Sequence, residues 1–88
     1  IMYDSYILYT REKCPFCIKA LKRLDEEEKS YKAVPIDECP EDFVNNLKEA
    51  YEHNSFPMVL GYITASKTYG WVGGCDNLMT HLDNPKKF

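Results

Sequence analysis

Tyr6-Ile7-Leu8-Tyr9-Thr10-Arg11-Glu12-Lys13-Cys14-Pro15-Phe16-Cys17 is the stretch from which the fold is read. Tyr6 to Thr10 is almost wholly apolar, which predicts a short strand buried on both faces in the middle of a sheet. From Cys14 the period changes: Cys17, Ala20, Leu21 and Leu24 fall at i, i+3, i+4 and i+7, with Lys22, Arg23, Asp25 and Glu26 mostly on the other side. That spacing predicts an amphipathic helix. Pro15 suits its first turn, where the missing N–H costs nothing and the fixed φ helps.

Outward from this unit the same signals repeat. Tyr31 to Asp37 has strand composition, yet Pro35 cannot donate to a ladder, so the segment is expected at a sheet edge. Pro40 followed by Glu41 and Asp42 starts a second helix with the right dipole sense, ending near Glu52, and Phe43, Val44, Leu47, Ala50 and Tyr51 form its apolar stripe. Met58 to Tyr62 and Lys67 to Val72 read as strands joined by Ile63-Thr64-Ala65-Ser66, a connection of hairpin length. A third helix follows Gly73-Gly74, with Leu78, Met79 and Leu82 facing inward and Pro85 as its stop. The order is strand, helix, strand, helix, strand, strand, helix. A right-handed crossover makes the first two strands parallel, the hairpin makes the last two antiparallel, and helices are expected on both faces of the central strand. The expected fold class is therefore α/β, a three-layer sandwich around a four-stranded mixed sheet.

Eighty-eight residues, 44% of them apolar, suit one domain over 1–88 and a modest core. Runs such as Tyr6 to Tyr9 and Pro57 to Leu60 are far short of the roughly 20 residues of a membrane span, so no membrane association is expected. The opening Ile1-Met2-Tyr3-Asp4-Ser5 has no basic region followed by an apolar one, so no secretory signal is expected either. A net charge of −3 and a pI near 5.3 offer no field for nucleic acid, and Lys86-Lys87 is too short to alter that. Of the four cysteines, Cys14 and Cys17 are close while Cys39 and Cys75 lie alone, which is no staple framework. The expectation is a monomer in a reducing compartment, the cytoplasm, where the close pair cycles between dithiol and disulfide.

A cysteine placed where a strand hands over to a helix faces the helix's unpaired N–H groups, and those dipoles favour a thiolate. Arg11 and Lys13 add positive charge nearby, partly cancelled by Glu12. Cys14 is thus the expected attacking thiolate, with its pKa below that of a free thiol. Cys17, one turn on and on the apolar side, is the expected resolving thiol. A C-x-x-C can instead be half of a zinc site. Here the second half is missing, because Cys39 and Cys75 stand alone and His53 and His81 are not paired at ligand spacing. No metal is expected.

Three separated features, Cys14-Pro15-Phe16-Cys17, Ser55-Phe56-Pro57 and Gly73-Gly74-Cys75-Asp76, occur in an order and spacing that resembles the glutaredoxin family over nearly the whole chain. The resemblance implies a thioredoxin-like fold, a dithiol disulfide oxidoreductase and glutathione as electron donor. The implied substrates are glutathione mixed disulfides and disulfide-containing proteins, ribonucleotide reductase among the candidates. It also makes Pro57 the family's cis-proline, leaving the Phe56 backbone free to pair with substrate. On its own residues a proline opening a strand reads as trans, since cis is about 5–6% of X-Pro bonds.

By the same resemblance, Gly74, Cys75 and Asp76 border the site of glutathione's γ-glutamyl end, where a glycine lets ligand approach the backbone and a helix N-terminus suits a carboxylate. Asp76 is expected to hold the ligand ammonium or to cap the third helix. Arg11 would pair with the glycyl carboxylate, Lys13 would add charge, and Phe16 would form an aromatic wall where the family commonly has tyrosine. Cys75 is expected to be small and buried, and Cys39 to cap or precede the second helix.

Ser55-Phe56 stands where Thr-Val is usual, Asn77 replaces a frequent Asp, and the stretch from Met58 to Val72 is longer than typical. Small divergent members of this kind are frequent in viruses and phages. Two other readings share the residues: a thioredoxin-like redoxin reduced by a flavoprotein reductase, and a zinc or iron–sulfur binding module using Cys14.

Overall fold

The structure is a computed structural model and describes residues 2–84. Pro85, Lys86-Lys87 and Ile1 lie outside the described residues. Strands β1 (Ser5–Thr10), β2 (Ser30–Pro35), β3 (Met58–Ile63) and β4 (Thr68–Gly73) alternate with helices α1 (Pro15–Glu26), α2 (Glu41–Ala50) and α3 (Cys75–Asp83) in the expected order. The sheet runs β2-β1-β3-β4, with β1 parallel to β2 and antiparallel to β3, and β3 antiparallel to β4. This is a three-layer, thioredoxin-like arrangement, and Pro35 ends the edge strand that it limits.

Register explains the layers. Tyr6 and Leu8 point to one face with their partners Gly61 and Val59, whereas Ile7 and Tyr9 point to the other with Leu60 and Met58. On the first face Tyr6, Leu8 and Val59 pack with Ala20 and Leu24 of α1 and with Cys75, Leu78 and Leu82 of α3. A buried Leu or Val contributes about 1.5–3 kcal/mol relative to exposure, so these fully covered side chains dominate the core. Arg23 braces the two helices on this face, pairing with Glu27 on α1 and reaching Asp83 of α3 at 2.5 Å.

The second face is covered less. α2 buries only Val44, and Phe43, Ala50 and Tyr51 of the expected stripe are exposed. The helix sits over the Tyr9–Met58 end of the sheet, where Val44 joins Cys14, Cys17, Phe56 and Met58. Beyond it a 360 Å³ groove remains, lined by Ile7, Tyr9, Phe43, Leu47, Tyr51, Leu60 and Tyr69. β1 is consequently central in the sheet but buried on one face and half-buried on the other.

Boundaries shift for local reasons. Ile36–Glu38 forms a 3₁₀ turn instead of continuing the strand to Asp37, and Cys39 caps that turn while Pro40 precedes α2. α2 stops at Ala50 because Tyr51 and Glu52 leave helical geometry, Glu52 at φ +49. β4 starts at Thr68, after the left-handed Lys67, and extends to Gly73.

Sequence periodicity did not anticipate the Tyr3 ring, which lies across Gly61 and Gly70 and edge-on to Tyr6, with centroids 6.0 Å apart. A Cβ at Gly61 would fall within that ring. Gly61→Ala is expected to lower stability in urea by about 1–3 kcal/mol, the usual cost of overpacking. Adding Tyr3→Ala should return part of the loss; a strictly additive double variant would show that Tyr3 is not what excludes the methyl.

His81 shares a hydrogen bond with Tyr6 Oη at 3.1 Å and packs on the Tyr3 and Tyr6 rings. Burial, with Lys29 adding repulsion, lowers its pKa from the ordinary value near 6.5. The unfolded chain then binds the proton more tightly than the native one. Stability is retained above the unfolded value and lost progressively as pH falls through about 6.5 toward the lowered native value. The gap in urea midpoint between wild type and His81→Gln should change across pH 7 to 5; parallel pH profiles would contradict this.

Candidate active site

β1 ends at Thr10, and the chain reaches α1 through a turn with Lys13 at φ +52. Cys14 is the N-cap of α1, in extended geometry, and its Sγ accepts the Cys17 N–H at 3.2 Å. A sulfur in this position takes the role usually filled by a serine or aspartate oxygen, satisfying one orphan amide of the first turn. Pro15 occupies the first turn, where no N–H is needed, and no acidic residue stands there to oppose a negative sulfur.

Cys14 and Cys17 are joined as a disulfide, with Cα atoms 5.2 Å apart. Their relative exposures are 6% and 3%, so the pair presents a narrow edge rather than a protruding group. Phe16 and Ile18 beside it are exposed, and they form an apolar rim. Arg11 and Lys13 are exposed on the loop that precedes it.

Facing the pair is Phe56-Pro57, at the start of β3. The peptide between them is cis, Pro57 is fully buried, and the Phe56 carbonyl oxygen lies 3.6 Å from Cys14 Sγ. The Phe56 ring is nearly buried, with the Arg11 guanidinium and the Lys48 ammonium each 5.7 Å from its centroid. Both distances are within cation–π range.

On the far side of β3, Val59 pairs with Gly73 across a bulge that lets Leu60 meet Trp71. This register brings the Gly73-Gly74 turn to the same end of the sheet. Gly73 has φ +125, and a Cβ there would also lie 2.5 Å from Asn77 Oδ1. Glycine is needed for both reasons. At Gly74 an added Cβ would press on His53 at 3.3 Å, so this glycine makes room for a side chain of its own chain.

Gly74 is the N-cap of α3, and its N–H donates to Asn77 Oδ1 at 3.0 Å. This corrects the capping role considered for Asp76, which is exposed at the second position of the helix. The substitution of Asn at 77 therefore supplies the cap. The Cys75 side chain is turned into the core, buried in one cluster with Leu8, Ala20 and Val59. Burial raises the Cys75 pKa, partly offset by Lys19 and reinforced by Asp76.

Cys14, Cys17, Arg11, Phe56 and Pro57 are thus brought into one cluster, with Gly74 and Asp76 at the same end of the sheet. Lys48 and Trp71 were not among the residues singled out in the sequence, His53 was weighed there only as a metal ligand, and Asn77 only as a departure from the family pattern. His53 sits edge-on to Trp71, with centroids 5.2 Å apart, and 3.4 Å from Ser55 Oγ. The i+3 spacing of Asn77 from Gly74 was the available signal for a cap. Among the described residues no group of three or more His, Cys, Asp or Glu side chains could hold a metal ion, and no helix is long and apolar enough to cross a membrane.

Comparison with known proteins places this geometry. The family model for glutaredoxin matches residues 6–61. The chain belongs to the glutaredoxin family. It is a thiol–disulfide oxidoreductase. A glutaredoxin from Brucella melitensis aligns with 26% identity and a TM-score of 0.69, covering 96% of this chain and 84% of that one. Wheat glutaredoxin aligns with 25% identity and a TM-score of 0.70, covering 92% and 71%. Buckwheat glutaredoxin, solved as a complex with glutathione, shares the fold with 20% identity and a TM-score of 0.71, covering 92% and 70%. No curated protein matches the chain by sequence.

The raised pKa of buried Cys75 sets an order of reactivity, because the thiolate is the reactive form. When the reduced protein is treated with iodoacetamide at pH 6, mass spectrometry should find Cys14 carboxamidomethylated well before Cys75. Prior labelling of Cys75 would mean that burial does not protect it.

Proposed function

We propose that this glutaredoxin is a glutathione-dependent reductase of protein disulfides and glutathione mixed disulfides, working as a monomer in the cytoplasm. The observation that carries the reading is the Cys14–Cys17 disulfide heading α1, with the Phe56 carbonyl 3.6 Å from Cys14 Sγ. The family's use of glutathione as reductant supports the choice of electron donor.

In the reduced protein the Cys14 thiolate attacks one sulfur of a substrate disulfide. A mixed disulfide forms and one substrate thiolate leaves. The Cys17 thiol then loses its proton and attacks Cys14 Sγ, releasing the second substrate thiol and leaving the Cys14–Cys17 disulfide. Two electrons have passed to the substrate. One glutathione thiolate opens that disulfide at Cys14, a second removes the first as glutathione disulfide, and the dithiol returns. The Cys17 N–H that Cys14 Sγ accepts stabilises the sulfur when it carries charge as attacking or leaving group.

Arg11 is assigned to the glycyl carboxylate of glutathione, and the Phe56 backbone to the cysteinyl portion by short β-addition. The amides of Cys75 and Asp76, leading α3, are assigned to the γ-glutamyl carboxylate, and the Asp76 carboxylate to its ammonium. Lys13 and Phe16 border the entrance.

The test is turnover of the purified protein with glutathione, glutathione reductase and NADPH. Cys14→Ser should abolish reduction of every substrate. Cys17→Ser should keep much of the turnover on glutathione mixed disulfides, which a second glutathione can resolve, and lose most activity on intramolecular protein disulfides, which depend on the neighbouring thiol. Equal loss on both substrates would show that Cys17 is structural. Turnover only with a flavoprotein thioredoxin reductase would replace glutathione as the donor.

A further inference from the structure

We propose that His53, seated on Trp71 beside Tyr51, is a positioning residue that holds the Phe56 backbone and the turn from Gly74 to Asp76 at the separation spanned by a γ-glutamyl-bearing disulfide. This role rests on the glutathione site proposed above, to which it adds the side chain that sets selectivity.

The two anchors of that site come from separate segments. The ladder between β3 and β4 ends at Val59 and Gly73, so Phe56 and Gly74 both lie beyond its last pair. On the Gly74 side the turn is fixed from within, by φ +125 at Gly73 and by the Gly74 N–H donating to Asn77 Oδ1 at 3.0 Å. On the Phe56 side the chain arrives from α2, of which only Val44 is buried, through the left-handed Glu52 at φ +49. The position of that loop therefore depends on the contacts of its own side chains.

His53 makes such contacts on several sides. Its backbone N–H donates to the Lys48 carbonyl at 3.0 Å, which ties it to the end of α2. Its ring stands edge-on to Trp71 of β4, with centroids 5.2 Å apart, while Tyr51 stacks on Trp71 at 4.4 Å with the planes 5° apart. Nε2 lies 3.4 Å from the Oγ of Ser55, the residue before Phe56, and the ring edge comes within 3.3 Å of the point where a Cβ on Gly74 would stand. One half-buried side chain thus reaches β4, the loop entering Pro57 and the turn leading α3. A ligand held at two places gains from its second anchor only when the spacing matches, and a small misplacement forfeits that gain. A disulfide that uses the Phe56 backbone alone has no second anchor to lose.

Two disulfides of equal net charge separate the cases. Glutathione disulfide carries the γ-glutamyl group, and N-acetylcysteinylglycine disulfide keeps the cysteinyl amide and the glycyl carboxylate without it. The pre-reduced protein is oxidised by each in a single turnover. Cys14 displaces one thiolate from the disulfide, Cys17 displaces the second, and two electrons pass from the dithiol to give two thiols and the Cys14–Cys17 disulfide. Quenching and mass spectrometry follow the loss of free protein thiol against disulfide concentration, which yields a limiting rate and a half-saturating concentration for each.

At low concentration the wild type should favour glutathione disulfide by about tenfold or more, the gain from a second anchor. His53→Ala should cut this preference by about 3–10-fold, the worth of an aromatic edge contact and a hydrogen bond, through the half-saturating concentration and not the limiting rate. Its rate with N-acetylcysteinylglycine disulfide should be unchanged. His53→Gln, whose amide nitrogen can reach Ser55, should restore part of the preference. Ser55→Ala removes the partner atom and should lower the preference by about 2–3-fold in the wild type and not at all in His53→Ala. Because Ser55 is exposed, this variant keeps the test open if His53→Ala does not fold. An equal loss on both disulfides, or no loss on either, would overturn the positioning role while leaving glutathione as donor. Equal wild-type rates with the two disulfides would overturn the γ-glutamyl site itself, and the role of His53 with it.

Discussion

The pairing of β1 with β3 decides where everything else stands. Tyr9 opposes Met58 and Leu8 opposes Val59 in an antiparallel ladder, so the end of β1 lies beside the beginning of β3. Because β1 leads into Arg11 to Cys14 and β3 is entered through Phe56-Pro57, the ladder itself sets these two segments face to face. The next pairing, Val59 with Gly73, delivers the Gly73-Gly74 turn to the same end. A slip of one residue would reverse the faces, sending Leu8 to the thinly covered side and pulling Phe56 out of line with Cys14. The fully buried Leu8, Val59 and Met58 make that slip costly, so hydrophobic burial is what fixes the redox geometry.

Cys17 belongs to this core as much as to the chemistry. It sits with Val44, Phe56 and Met58 and is covered almost completely, while Cys14 caps the helix and takes an N–H from Cys17. The two sulfurs therefore meet different environments within one turn. Apolar surroundings favour a neutral thiol at Cys17, and a hydrogen-bond donor at the helix N-terminus favours charge at Cys14. The proposed division of labour between attacking and resolving sulfur rests on the position of each on one helix and calls for no separate base.

Most of the fold was legible because its signals are local and strong. The apolar run Tyr6 to Thr10, the i, i+3, i+4, i+7 stripe from Cys17 and the Gly73-Gly74 break each mark an element, and the crossover rule orders them. What escaped was set by tertiary contact. The stripe on α2 gave its helix correctly but not its cover, since only Val44 of the helix is buried. Asn77 and Phe56 were read as departures from the family pattern, and each turned out to have work that its neighbours define: Asn77 caps Gly74, and Phe56 gathers two cations. Lys48 carried no signal, because nothing in its spacing on α2 predicts that it meets a ring eight residues on.

The two faces of the sheet consequently differ in firmness. α1 and α3 are joined to the first face by a continuous buried cluster and to each other through Arg23. α2 is held by Val44, by the contact of Phe43 with Tyr9 at 5.6 Å and by the Tyr51–Trp71 stack at 4.4 Å, with a groove beside them. Few buried contacts mean a low cost of local displacement. Arg11 and Cys14 are thus placed from the better-anchored layer, whereas Lys48 approaches Phe56 from the looser one. Charge brought in from α2 reaches the disulfide end through the Phe56 ring, and Val44 of the same helix packs in the cluster that holds Cys14 and Cys17.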